Sequence, residues 1–172
     1  MAIVASDIQT RLSGGAANSN PNLSIGGVMS STAWAGGVLH DLFDVITGDE
    51  NAASTVDYRC VYVRNGHATL TLLGATVWLT SQTAGGATVD MGLDPAAIGN
   101  GTTTGVAATP ANETTAPASV TYSSPASKAG GLVIGDIPAG SAKAIWFRRT
   151  AANSAAIDND GVTLNIAGDT TA

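Results

Sequence analysis

The stretch VDYRCVYVRNGHATLTLLGATVWLT, residues 56–80, reads as two long strands joined by a tight turn. Tyr58, Cys60 and Tyr62 alternate with Arg59, Val61 and Val63, so the two sets lie on opposite faces of the first strand. Asn65-Gly66 suits a type I′ hairpin turn, in which both central residues take positive φ. After Gly74 the run Thr76-Val77-Trp78-Leu79-Thr80 is again β-branched and aromatic, as strands prefer. The expectation is a central hairpin in an all-β domain, with nothing in it that resembles an active site.

Working outward, Val89, Met91 and Leu93 alternate against Thr88, Asp90, Gly92 and Asp94, a half-buried strand of period two. Further strands are expected at Leu42–Thr47, Ser119–Tyr122, Gly131–Ile134, Ala142–Thr150 and Val162–Ile166, with no convincing helix. Seven or eight short strands with turn signals between them predict a two-sheet antiparallel β-sandwich, with immunoglobulin-like or jelly-roll connections both open. The expected core is Tyr58, Cys60, Tyr62, Val77, Leu79, Val89, Met91, Ile145, Phe147, Leu164 and Ile166. Residues 95–118, PAAIGNGTTTGVAATPANETTAPA, form a long low-complexity loop of the kind that is functional or mobile in a compact domain.

Residues 1–37 differ from the sandwich domain that follows over 38–172. Gly14-Gly15, Asn20-Pro21, Gly26-Gly27 and Gly36-Gly37 interrupt the stretch repeatedly, while Leu12, Leu23, Ile25, Val28, Met29 and Trp34 recur through it. Two readings stand: an ordered loop packed on its own domain, or an extended N-terminal arm laid across a neighbouring subunit. The second makes Arg11, Leu12, Asn20, Pro21, Leu23, Ile25, Met29 and Trp34 candidate interface residues. Arg148 and Arg149 join them; they point to opposite faces of a strand, and either can meet a carboxylate of the domain or of a neighbour.

The totals exclude several classes of function. One domain of 172 residues can bury a core without disulfides or metals. Charged residues make up only 12%, about half the usual share, which suits a surface largely covered by neighbours. A net charge of −6 with scattered Lys and Arg argues against direct contact with nucleic acid. The single cysteine, Cys60, excludes an intrachain disulfide and reads as a buried, inert thiol. No apolar run reaches the ~18 residues of a membrane helix, so no membrane partner is expected. The opening MAIVASDIQTRLSGG has Asp7 and Arg11 where a secretion signal would have its apolar core.

Chemistry-bearing residues are sparse. His40 and His67 lack metal-binding spacing, and His67 reads as an exposed turn residue. Asp158-Asn159-Asp160-Gly161 begins like a calcium loop but has Asp169 where the twelfth position requires Glu, so a strand-initiating turn is expected. Gly130 to Asp136 lacks the Lys-Ser/Thr of a phosphate loop. No catalytic residue, metal site or cofactor is expected.

Three blocks carry a resemblance. Arg11-Leu12-Ser13-Gly14-Gly15-Ala16-Ala17-Asn18, with Asn20-Pro21-Asn22 and Gly26-Gly27, resembles the N-terminal arm of a group of tailed-bacteriophage structural proteins. Phe43-Asp44 through Gly48-Asp49-Glu50, with Asp57 through Asn65, resembles the block that follows in that group. Gly135-Asp136 through Ala139-Gly140, with Ile145-Trp146-Phe147-Arg148-Arg149, resembles its C-terminal block. The chain thus resembles phage head decoration, or cement, proteins. The resemblance implies a non-enzymatic protein on the capsid surface of the virion, made in the host cytoplasm, that bridges neighbouring major capsid protein subunits and self-associates as a dimer or trimer. A tail or baseplate module that binds a receptor or carbohydrate is the alternative, with Trp34, Trp78 and Trp146 as a stacking platform.

Overall fold

A computed structural model describes residues 2–170 of the chain. It contains β1 (Ile8–Leu12), a short helix α1 (Gly48–Ala53), β2 (Val56–Asn65), β3 (Leu72–Thr80), β4 (Thr88–Leu93), β5 (Leu132–Ile137), β6 (Ala142–Thr150) and β7 (Thr163–Thr170). Two antiparallel sheets pack face to face, in the orders β1-β2-β6-β4 and β5-β3-β7. The expected sandwich is present. Among strand neighbours only β1 and β2 are also consecutive in the chain. From β2 onward every connection passes to the other sheet.

That topology corrects the central hairpin. β2 and β3 lie in different sheets, and residues 66–71 arch between them. The buried carboxamide of Asn65 donates to the carbonyls of Leu70 (2.8 Å) and Ile137 (2.9 Å), so it ties the arch to the far sheet. Gly66 donates to the Asp7 carbonyl at 2.6 Å rather than closing a turn across the strands.

The facing of β2 is corrected as well. The layer between the sheets holds Val61, Val63, Leu72, Val77, Leu79, Val89, Met91, Ile137, Ile145 and Phe147, all buried. Cys60 and Tyr62 lie on the other face with Ala142, Ala144 and Trp146, and Tyr58 packs partly buried beside them. Leu164 and Ile166 of the edge strand β7 are half-buried and pack on the inter-sheet core. A single β-sheet with both faces closed reads as a nearly continuous apolar run, which is what Cys60 to Val63 show.

The outer face of β2 and β6 is covered by irregular chain. Residues 13–34 and 94–123 lie across it, joined by backbone bonds from Gly27 to Ala108 (3.2 Å), Met29 to Gly101 (2.8 Å) and Cys60 to Ser24 (2.7 Å). The arm expected over residues 1–37 is therefore folded back: 8–12 form an edge strand on β2, and 13–34 form part of this covering layer, while Met1 lies outside the described residues. Gly26 shows how close the approach is. At φ +90 an added Cβ would stand 1.8 Å from the Ala108 carbonyl oxygen and 2.9 Å from the Trp146 ring.

Two other expected strands are absent. Residues 42–47 are irregular and end at Thr47, whose side chain caps α1 while the Glu50 carboxylate accepts from the Thr47 N–H (2.7 Å). That capping box, together with Asp49 and Glu50 in the first turn, explains the one short helix. Ser119–Tyr122 is also irregular, and pairing with β4 is limited to a bridge from Ser123 to Met91.

Candidate functional site

Of the candidate interface residues, the structure leaves few at the surface. Leu12 (2% exposed) and Met29 are buried in this chain's own core. Arg11 donates to the Ser31 carbonyl and, at 3.0 Å, to Gln9 Oε1. The Trp34 ring meets Phe147 edge-on at 5.8 Å. Ile25 and Pro21 are half-buried. Asn20 and Leu23 are exposed, on a short turn in which Asn20 Oδ1 accepts from the Asn22 N–H (3.0 Å).

Arg149 belongs to an ionic cluster at one end of the sandwich, in which Arg59, Arg149 and Asp57 are buried and Asp44 and Glu113 are partly exposed. Its guanidinium donates to Asp57 Oδ2 (2.6 and 3.2 Å), to Asp44 Oδ1 (3.3 Å) and to the Asp44 carbonyl, and lies 4.7 Å from the Phe43 ring centre. Arg59, fully buried, shares Phe43 at 5.5 Å and donates to Glu113 Oε2 (2.5 Å) and the Tyr58 carbonyl (3.1 Å). Removing one partner from such a set strands a charge in low dielectric, so the cluster fixes geometry more than it adds stability. It fastens the segment at 43–44 and the loop at 113 to β2 and β6. Sequence reasoning missed Arg59, Asp57, Asp44 and Glu113. A signal existed for one of them: Glu113 is the sole charged residue between Pro95 and Ala118.

Arg148 points the other way, toward the outer face. Two of its nitrogens meet Asp90 Oδ2 (2.5 and 3.2 Å), and it lies 4.8 Å from the Tyr122 ring centre, with Tyr58 5.7 Å from Tyr122. The hydrogen bond to Asp90 raises the arginine's pKa further. Both arginines are thus engaged within the chain.

The remaining polar groups also hold the fold. His67 is half-buried rather than exposed, and its Nδ1 accepts from the N–H groups of Thr69 (3.1 Å) and Leu70 (3.0 Å). Asp160 accepts from the Ala87 N–H at 2.6 Å, which anchors the turn before β7. Burial pushes the Cys60 thiol's pKa well up, and the charge of Asp94 adds to this. Among the described residues, no three His, Cys, Asp or Glu side chains are placed to hold a metal ion, and no helix is long and apolar enough to cross a membrane. The tryptophans share no face: Trp146 is fully buried with Nε1 on Asp94 (2.8 Å), Trp34 sits against Phe147, and Trp78 is half-buried in β3.

Large apolar side chains are exposed singly at Val4, Leu23, Val133 and Ile157 and together in one segment. Val38 is 73% exposed, Leu39 60% and Val45 59%, all within the irregular segment 35–47 that connects the N-terminal layer to α1. The same segment turns Leu42 into the core and sets Phe43 against the two arginines. No family model, curated protein or solved structure matches the chain. The arrangement offers apolar surface for contact, and Arg59, Arg148 and Arg149 are already paired with carboxylates of the same chain.

Proposed function

We propose that the protein is a non-enzymatic structural protein of a tailed-phage virion, seated on the capsid surface, where it bridges and stabilises neighbouring major capsid subunits. The observation that carries this reading is the set of exposed aliphatic side chains, Val38, Leu39 and Val45, on one surface segment. Water-exposed aliphatic groups lower the free energy of the system when a partner covers them, by roughly 25 cal/mol per Å² of apolar area. The resemblance of three sequence blocks to head decoration proteins supplies the kind of partner. A specific interface needs about 1,000 Å² in total from both sides, a modest part of the 8090 Å² surface of this chain.

The low share of charged residues supports the same reading, because burying an uncharged surface costs little desolvation. Copies repeated around a closed shell also reinforce one another's retention. The acidic balance disfavours contact with the packaged DNA. The competing carbohydrate-binding reading lacks its stacking platform, since the three indoles lie in separate places.

The test is to strip the protein from particles and add it back while following capsid melting and DNA release. Stripped shells are expected to melt at lower temperature and to recover on re-addition. Unchanged melting overturns the cement reading, and finding the protein on tails alone moves the assignment to a tail module.

A further inference from the structure

We infer that residues 2–34 are an exchangeable element, and that the partner for the surface they cover is the same segment of a second copy of this chain. The segment contributes β1 and half of the layer over the outer face of β2 and β6. Its attachments run to β2, to the loop at 101–108, to Phe147 and, from Ile3, to Thr170, and all of them travel with the segment. β1 pairs with β2 from Ile8↔Asn65 to Leu12↔Val61, Ser13 Oγ donates to the Cys60 carbonyl (2.8 Å), and Tyr62 Oη donates to the Gly27 carbonyl (2.6 Å). Without the segment, Tyr62, Cys60 and Trp146 lose their cover, so the site is always filled, by its own chain or by a neighbour's. An identical segment from a second copy makes every one of these contacts equally well.

The connection permits this. Residues 35–47 belong to neither sheet, and Gly36 and Gly37 take φ +69 and +83. His40, a non-glycine residue, is held at φ +61, a conformation that straightening the segment relieves. Leu42, Phe43 and Asp44 are anchored on the domain, so the free part of the connection is 35–41; drawn out, its seven residues span about 23 Å at roughly 3.3 Å each. That exceeds the radius of gyration of a domain this size, on the order of 16 Å, so the segment reaches a neighbour packed against the domain.

The exposed aliphatic residues give the exchanged form its advantage. Exchange conserves the contacts of residues 2–34, so the balance turns on the connection alone. Folded back, it leaves Val38 and Leu39 in water. In a twofold exchanged pair, two straightened connections run antiparallel past each other, and these side chains face their counterparts. High local concentration of copies shifts the balance further toward exchange. This inference does not depend on the capsid reading, because it is tested on purified protein in solution.

The test uses Gln9→Cys with Arg64→Cys, which are opposed in the β1–β2 pair and joined by a 2.8 Å hydrogen bond in the native chain. Opposed residues of antiparallel strands are about 5.5 Å apart or closer at Cα, within disulfide range. The full-length variant is folded at rising concentration, oxidised, and run on a denaturing gel without reductant. Covalent dimers that increase with concentration are expected, and adding Val38→Ser and Leu39→Ser should reduce them several-fold. Intramolecular disulfides alone at every concentration overturn the inference, whether or not the protein also dimerises. Light scattering on wild-type protein refolded across the same range decides the case where oxidation fails: dimer mass is expected, and monomer mass throughout overturns it.

Discussion

Cys60 and Tyr62 sit on the face of β2 that the sequence assigns to the space between the sheets, and the structure places them under the irregular layer instead. Burial there raises the pKa of the Cys60 thiol well above its usual value and also that of the Tyr62 hydroxyl; Tyr122, on the same face, is raised in the same way. Each group keeps its proton in the fold longer than in the unfolded chain. Below about pH 8.5, the usual thiol value, both states hold these protons and the groups add no pH dependence. Above it the unfolded chain ionises first, so stability falls as pH rises, first through Cys60 and then, past about pH 10, through the tyrosines. Lys143 opposes this, since burial lowers its pKa and the folded state releases that proton more readily. With three groups against one, unfolding free energy is expected to fall steadily between about pH 8.5 and 11. Chemical denaturation across that range checks it, and stability that holds or rises would contradict it. Cys60→Ala should flatten the lower part of the curve.

At the scale of elements, one buried carboxylate gathers several of the bonds that fasten the irregular layer to the sheet. Asp94, 1% exposed at the end of β4, accepts from Trp146 Nε1 (2.8 Å), the Ala96 N–H (2.8 Å) and the Ala108 N–H (3.1 Å). It thereby joins β6 to the low-complexity loop. Asp94→Ala leaves a buried indole N–H and two backbone donors without an acceptor. The expected cost is about 1.5–3 kcal/mol, the range for hydrogen bonds to a charged group, read as a lowered midpoint of urea unfolding. A loss below about 0.5 kcal/mol would place the substitution among neutral surface changes and show that water replaces the carboxylate. The sequence exposes this element poorly. β6 is legible to its ends because Ala142–Thr150 alternates and is bounded by turn residues, and β4 because Val89, Met91 and Leu93 keep period two. Residues 95–118 carry no period at all, yet Gly101, Ala107 and Pro117 are buried, because backbone bonds and small side chains hold them rather than an apolar stripe. The Asn65-Gly66 turn misleads for a related reason: the Asn65 side chain is committed to Leu70 and Ile137, partners no local pattern reveals.

For the whole molecule, the alternation of sheets after β2 means that no stretch of the chain closes a core alone. β2 pairs with β6 at a separation of about half the sequence, and β3 with β7 likewise. Non-local pairing of this kind is slow to form and cooperative once formed. The N-terminal segment is part of that cooperative unit, in contrast to an arm that serves assembly alone. Deleting residues 1–37 removes β1, the buried side chains of Leu12 and Met29, and the cover over Cys60, Tyr62 and Trp146. Losing one buried Leu or Met side chain costs about 2–5 kcal/mol, and a domain's whole stability is about 5–15 kcal/mol. The truncated chain is therefore expected to lose its cooperative unfolding transition and the near-ultraviolet signal of the buried Trp146. A synthetic peptide of residues 2–34 should restore both when added during refolding, because the uncovered face of β2 presents the same donors and acceptors to a segment supplied from outside. A truncated chain that unfolds cooperatively, with Trp146 still ordered and no peptide present, would show that the layer is dispensable to the core.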